Sequence, residues 1–286
     1  MRPLRILHLN PADEWGGNLA GAFLVCQGLV RWGHRVFLAA PAGGAGLERF
    51  RQAGVTVLPF EVRSKWDLAA AGRLARLIRA ERIEIVHSHL RPLDWVCFLT
   101  RPLVRAVWLT TIHGFDVNLD QVTFQPQGGL KNALYRLVLR RGFDRVLTVS
   151  QHLAEDAVER LGIDPLKVVH VVNGIELPDL EGLEPNLRER SRRELGLGPE
   201  EVAALTVGAV SRRKGQLGLI EAAAALLASG RLRLVLVGDG EELSACRQRA
   251  ETLGLAGRVI FTGFKEDVRP YLAAADLAVL PSLSEG

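Results

Sequence analysis

The sequence predicts an α/β protein made of two doubly wound parallel sheets in series. Three observations carry this. Short apolar runs alternate with longer amphipathic stretches along most of the 286 residues. The short runs are apolar on both faces, as strands of a parallel sheet are when helices cover both sides. The alternation is interrupted once, over 176–200, by a charged stretch holding Pro178, Pro185 and Pro199. That stretch reads as a linker followed by a short helix near 187–195.

Taken in order, strands are expected at 6–9, 36–40, 55–60, 83–87, 107–112, 146–149 and 168–172, each short and rich in Val, Ile and Leu. Between them, Leu19, Phe23, Leu29 and Val30 recur at helical spacing over 18–32. Leu68, Leu74, Leu77 and Ile78 do so over 66–80, with Arg73, Arg76 and Arg79 on the other faces. Past the linker the expected order is strand 202–207, helix 215–229, strand 232–237, helix 240–253, strand 259–262, helix 266–274 and strand 277–280. The domains are therefore 1–180 and 181–286. The second stops directly after a strand, whereas a doubly wound sheet usually has about five or six strands. It is expected to be incomplete.

Composition narrows the class. Hydrophobic residues are 48% and charged residues 24%, which excludes a disordered chain. Cys26, Cys97 and Cys246 form no CxxC pair and sit in apolar runs, as buried thiols in a reducing compartment do. The start MRPLRILHLN has too short an apolar run for a signal peptide, and no stretch reaches the roughly 18 apolar residues of a membrane span. A cytoplasmic location is expected. Residues 1–180 carry 22 Lys/Arg against 17 Asp/Glu, and 181–286 carry 14 against 15. The first half is thus the one suited to an anionic partner. Nucleic acid is not expected, because the basic residues are not interleaved with exposed aromatics.

In doubly wound sheets, ligands bind at the carboxyl ends of the strands, so the loops there hold the candidates. After the first strand come Gly16 and Gly17 at a helix start, where backbone N–H groups can approach a phosphate. The loop is not GxGxxG, and Ala39-Ala40-Pro41 gives no acidic residue for a ribose, which argues against a nicotinamide dinucleotide. His87 and His89 follow the fourth strand and His113 the fifth. The two residues of the first pair are expected to alternate faces, and no nearby Cys or Glu completes a zinc tetrahedron, so no metal is expected. His113 sits where a side chain can face the crevice. Arg212, Arg213 and Lys214, before Gly215, form a strong diphosphate candidate. Gly238 lies in another strand–Gly turn, Phe264 and Lys265 offer an aromatic and a cation, and Glu285 could accept hydrogen bonds from sugar hydroxyls. A basic amphipathic helix over 128–142 either lies on an anionic membrane or turns a solvated basic face outward from the core.

These residues, in this order, carry a resemblance. The Gly-Gly loop, Ile85-Val86-His87-Ser88-His89, Thr111-Ile112-His113-Gly114, Val172-Asn173-Gly174-Ile175, Val207-Gly208 through Lys214-Gly215, Val237-Gly238-Asp239-Gly240, Phe261-Thr262-Gly263-Phe264 and Pro281-Ser282-Leu283-Ser284-Glu285-Gly286 resemble family 4 of the retaining nucleotide-sugar glycosyltransferases. The resemblance covers the whole chain. It implies the GT-B architecture of two Rossmann-like domains facing a cleft, with the second truncated here. It implies that Gly17 meets the donor phosphate, that His113 approaches the donor sugar, and that Lys214 neutralises the diphosphate. It implies that Phe264 and Lys265 belong to the loop meeting the base and that Glu285 contacts the transferred sugar. Two departures are visible. Ala209 stands where the family commonly has an Arg, with Arg212 or Arg213 available as substitutes. The partner of Glu285 would fall at position 293, beyond the chain.

The expected activity is a retaining hexosyltransferase of the kind that builds polysaccharide or lipopolysaccharide. It would use a nucleoside-diphosphate sugar as co-substrate, no cofactor, and a glycan or lipid-linked acceptor. The sequence holds no DxD pair for a divalent ion, so protein cations would meet the leaving phosphate. Two alternatives remain at this point: a sugar-nucleotide 2-epimerase of the same fold, and a non-catalytic binding or partner subunit.

Overall fold

The computed structural model describes residues 2–12, 15–64, 66–114, 130–175, 186–283 and 285. It divides into two compact units, one holding the described residues up to 175 and the other those from 186 onward. The expected boundary at 180 lies outside the described residues.

The first unit is a seven-stranded, wholly parallel sheet in the order β3-β2-β1-β4-β5-β6-β7. Its strands are β1 (Arg5–Leu9), β2 (Arg35–Ala40), β3 (Thr56–Pro59), β4 (Ile85–Ser88), β5 (Val107–Ile112), β6 (Arg145–Thr148) and β7 (Val168–His170). Its helices are α1 (Gly17–Arg31), α2 (Leu47–Gln52), α3 (Leu68–Ala80), α4 (Arg91–Thr100), α5 (Leu130–Gly142) and α6 (Gln151–Glu159). The two-residue period of a strand is visible in β2. Phe37 and Ala39 enter the core under α3, α4, α5 and α6, whereas Val36, Leu38 and Ala40 enter the core under α1 and α2. Side-chain caps fix two helix starts: Asp67 accepts from the Ala70 N–H at 2.8 Å and Ser150 from the Leu153 N–H at 3.3 Å.

The second unit is a four-stranded parallel sheet in the order β10-β9-β8-β11. Its elements are α7 (Leu187–Glu194), β8 (Val202–Val207), α8 (Gln216–Ala222), α9 (Ala224–Ala228), β9 (Leu232–Val237), α10 (Leu243–Thr252), β10 (Val259–Gly263), α11 (Arg269–Ala274) and β11 (Leu277–Ala278). In β9, Leu234 and Leu236 pack under α8, α9 and α10, while Val235 and Val237 face the side of Tyr271 on α11. The highly charged α7 has a structural task. Arg188 and Arg192 donate to the Ala273 and Ala274 carbonyls at 2.9 and 3.0 Å, satisfying the end of α11, and both pair with Asp276.

Two expectations need correction. The helix expected over 215–229 is two short helices, α8 ending at Ala222 and α9 beginning at Ala224, with Ala223 between them at ψ −1°. Strands are not apolar-buried throughout: β7 and β11 are edge strands, so Val169 and Leu277 stand exposed. On α5 the core residues are Tyr135, Val138 and Leu139, while Leu137 turns outward beside exposed Arg140 and Arg141. Cys26, Cys97 and Cys246 are free and buried. Among the described residues, no helix is long and apolar enough to cross a membrane.

Candidate functional site

Each sheet has a point where strand order reverses, and there the loops leaving two neighbouring strands diverge to opposite sides and open a crevice. In the second unit this point lies between β8 and β11. Arg212, Arg213 and Lys214 form one 3-10 turn in the loop after β8, and Glu285 closes the segment after β11. The Lys214 ammonium donates to Glu285 Oε1 at 2.6 Å, and the Arg213 guanidinium lies 3.6 Å from Oε2. The Leu283 N–H donates to the Arg213 carbonyl at 2.8 Å and ties the two loops together. Burial pushes the Glu285 carboxyl up, but the hydrogen bond and charge of Lys214 and the charge of Arg213 outweigh it and hold the group below the usual range.

The loops forming this crevice approach so closely that only glycine fits. A Cβ on Gly238 would lie 1.9 Å from the Gly208 carbonyl oxygen, and one on Gly215 2.3 Å from that of Pro281. Both residues also have positive φ, at 145° and 71°. Gln216, which sequence reasoning missed, sits buried behind the cationic turn. Its amide donates to the Ala209 carbonyl at 3.0 Å and accepts from the Ser211 N–H at 3.3 Å. Ala209 itself is exposed, so the loop has room where a longer side chain was expected. Phe264 and Lys265 follow β10, the far edge strand, and are exposed there.

In the first unit the order reverses between β1 and β4. Gly16 caps α1 in extended backbone, φ −130° and ψ −176°, and neither it nor Gly17 would meet any atom within 4 Å if given a Cβ. Packing therefore does not explain this glycine pair. Asn173 lies against α1, with its Oδ1 3.4 Å from a Cβ placed on Gly21.

The same point is lined by imidazoles. The register pairs His8 on β1 with His87 on β4, and their ring centroids are 4.9 Å apart. His87 and His89 do not alternate faces as expected: their centroids are 4.3 Å apart. Residues two apart along a strand point to the same face, so the pleat of β4, carried one residue past its end at Ser88, itself sets the two rings side by side, and the expectation of alternation fails. His8 Nδ1 lies 2.9 Å from His89 Nε2, His89 Nδ1 lies 3.3 Å from His113 Nε2, and His87 Nε2 lies 2.7 Å from Thr111 Oγ1. Burial pulls His8 and His113 down to about 4 and, with repulsion among the rings, His87 and His89 well below 6.5. All four rings are thus neutral at pH 7. Among the described residues, His8, His87 and His89 are the group whose ligand atoms, within 4.8 Å of one another, could hold a metal ion. Behind the other face of the sheet, Asp94 on α4 accepts from Thr110 at 2.8 Å and Tyr135 at 2.6 Å, and burial pushes it up to about 6 despite them.

The structure thus places Arg213, Lys214 and Glu285 in contact and ties Gly238 into the same loop assembly. In the first unit it sets His113 at the end of an imidazole chain.

Comparison with known proteins agrees with this architecture. The description Glycosyltransferase Family 4 matches residues 16–178, and Glycosyl transferases group 1 matches 188–286. The chain is 26% identical over 227 residues to the UDP-Gal:alpha-D-GlcNAc-diphosphoundecaprenol alpha-1,3-galactosyltransferase of Escherichia coli, covering 77% of this chain and 57% of that protein. It is 34% identical over 314 aligned positions to the D-inositol 3-phosphate glycosyltransferase of Geodermatophilus obscurus, covering 98% of this chain and 69% of that one. The chain spans little more than half the length of the Escherichia coli relative, 57%. Among solved structures, Anabaena HepE in complex with UDP-glucose superposes with a TM-score of 0.82 at 21% identity, over 98% of this chain and 74% of that one. That likeness establishes the GT-B glycosyltransferase fold. With more than half of its residues matched by the family description, the chain belongs to glycosyltransferase family 4.

Proposed function

We propose that this protein transfers a glycosyl group from a nucleoside-diphosphate sugar to a glycan or lipid-linked acceptor, with retention at the anomeric carbon. The observation that carries the reading is the crevice of the second unit, where the Arg212–Lys214 turn and Glu285 meet on glycine-only loops. Breaking an anomeric C–O bond to a diphosphate puts growing negative charge on the leaving oxygen, and fixed cations there lower the barrier. Lys214 is held in position by Glu285 rather than left to search. In this reading Lys214, with Arg212 and Arg213, meets the diphosphate, and Glu285 accepts hydroxyls of the transferred sugar. Gly16 and Gly17 leave α1 open for close approach of a phosphate oxygen, which accounts for glycines that packing does not require. Gly238, Phe264 and Lys265 belong to the base and ribose side. His113 meets a hydroxyl of the donor sugar. The protein supplies the cations itself, and the reaction proceeds without a divalent ion.

The Escherichia coli relative takes UDP-Gal and a diphosphoundecaprenol-linked acceptor by its name, which supports a UDP-sugar and a lipid-linked acceptor here. Exposed Arg140 and Arg141 on α5 suit an anionic acceptor or membrane surface on the cytoplasmic side. The relatives are named as transferases, which favours transfer over epimerisation. The test is thermal melting in EDTA with UDP, GDP and ADP and their glucose conjugates. One nucleotide raising the midpoint supports donor binding, since a ligand of the folded state stabilises it by mass action. No shift with any of them overturns the reading.

A further inference from the structure

We propose that His8 and His89 are positioning residues which lock His113 in one uncharged tautomer, with hydrogen on Nδ1, so that it offers a sugar hydroxyl a hydrogen-bond donor. The inference rests on the reading of His113 as the group that meets the donor sugar, and goes beyond it in assigning a task to two rings that the reaction otherwise leaves unused.

The geometry is a chain of three imidazoles. His8 Nδ1 faces His89 Nε2 at 2.9 Å, and His89 Nδ1 faces His113 Nε2 at 3.3 Å. A neutral imidazole has one N–H and one lone pair. The chain therefore has two consistent hydrogen arrangements, and moving from one to the other changes all three rings together. Its inner end decides between them. His8 is fully buried on β1, and its Nε2 has no partner among the described residues. A buried N–H without an acceptor is the rarer kind of orphan. The lone pair therefore sits on His8 Nε2, His8 donates to His89, and His89 donates to His113. His113 is left with its hydrogen on Nδ1, the nitrogen with no partner among the described residues, on a ring that is only part-buried.

The titratable groups that act on these rings are each other, from β1, β4 and the segments after β4 and β5, and burial keeps all of them neutral. His87 stands beside the chain and is engaged by Thr111. Neutrality has a use. Positive charge grows on the sugar ring as the anomeric bond breaks, and an imidazolium beside it would oppose that charge.

The test begins on the unaltered protein. Two-bond 1H–15N correlation of its histidines at pH 7.5 should show His113 as the Nδ1–H tautomer. The Nε2–H tautomer, or a mixture of the two, overturns the proposal without any variant being made. His8→Phe then removes the inner end from a ring too deep to touch substrate. It should turn the His113 signal into a tautomer mixture and lower kcat about fivefold, with the donor KM changed less than twofold. His89→Gln, whose amide can still donate to His113, should keep more of kcat than His89→Leu. Unchanged tautomer and kcat in His8→Phe overturn the proposal. So does a stoichiometric zinc or nickel ion on the purified protein that is lost in His8→Phe, since the facing nitrogens would then be ligands. If the unaltered protein transfers no sugar at all, the transferase reading fails, while the tautomer measurement still judges the chain of rings.

Discussion

The two sheets have the same kind of switch point and fill it with opposite chemistry. In the first unit the strands that part, β1 and β4, carry His8 and His87, dry and uncharged. In the second, the loops after β8 and β11 carry Arg213, Lys214 and Glu285, part-exposed and charged. Topology supplies the crevice in both cases, but it does not say what the crevice handles. Cations at a strand end suit a group that becomes more negative. Neutral imidazoles suit hydroxyls that must be aligned without adding charge. The difference suits the charged loops of the second unit to a group that gains negative charge and the rings of the first to the orientation of hydroxyls, and it can be broken at several points.

The largest expected effect is acid sensitivity confined to the first unit. His8 titrates at about 4 in the folded chain against 6.5 as its ordinary value. The unfolded chain therefore binds more protons, and the stability contributed by the neutral ring is complete above pH 6.5 and lost as pH falls toward 4. A ring shifted this far accounts for about 3 kcal/mol at the acid end. His87, His89 and His113 act in the same direction. Asp94, raised to about 6, acts in the opposite one: its contribution is complete below pH 3.8 and is lost as pH rises through 6. Three further rings outweigh it. All five tryptophans, Trp15, Trp32, Trp66, Trp95 and Trp108, belong to the first unit, so urea unfolding followed by their fluorescence reports that unit alone. Stability should drop between pH 6.5 and 5. A flat profile would mean that the rings are solvated and that the contrast between the two crevices is unreal.

Next is the charged side. Lys214→Ala should raise the transfer barrier by about 2–4 kcal/mol, the range seen when a group stabilising a developing oxyanion is removed. It would also leave Glu285 with Arg213 as its remaining cation among the described contacts. The comparison to make is kcat against the melting midpoint. A lost midpoint with unchanged kcat would move Lys214 from the chemistry to the scaffold.

How much of this was legible depends on the range of the interactions involved. The strands over 107–112, 202–207 and 232–237 were readable to the residue, because a strand buried on both faces has no choice but an apolar run. Helix α4 was not. Its sequence RPLDWVCFLT buries Asp94 along with Leu93, Trp95, Val96 and Cys97, so it shows no polar face to mark the helical period. The cationic turn was legible because its three cations are contiguous. The chain of rings was not, because it depends on a register that sets His8 beside His87 across the sheet. Gln216 gave no signal either, since its task is to hold a loop that exists only once β8 and α8 are in place.

Gly238→Ala asks whether the glycine turns are needed for packing. The new methyl would meet the Gly208 carbonyl in a residue already at positive φ, and such strain costs at least about 2 kcal/mol. The loss should appear in far-UV circular dichroism as early melting of the second unit, with the tryptophan signal of the first unmoved. An unshifted melt would show that the loops can separate without cost.

The smallest effect separates the two kinds of glycine. Gly17 begins α1 and has open space around its Cα, so Gly17→Ala should leave the first unit as stable as before or more so, by up to about 1 kcal/mol. The gain comes from the unfolded chain, which loses freedom, while the folded backbone already has helical geometry. If a phosphate oxygen approaches the backbone there, the same methyl should weaken donor binding in the melting assay even as the protein itself becomes firmer. A variant that is both firmer and equally responsive to the nucleotide would remove Gly17 from the donor site. The diphosphate reading would then stand on the second unit alone.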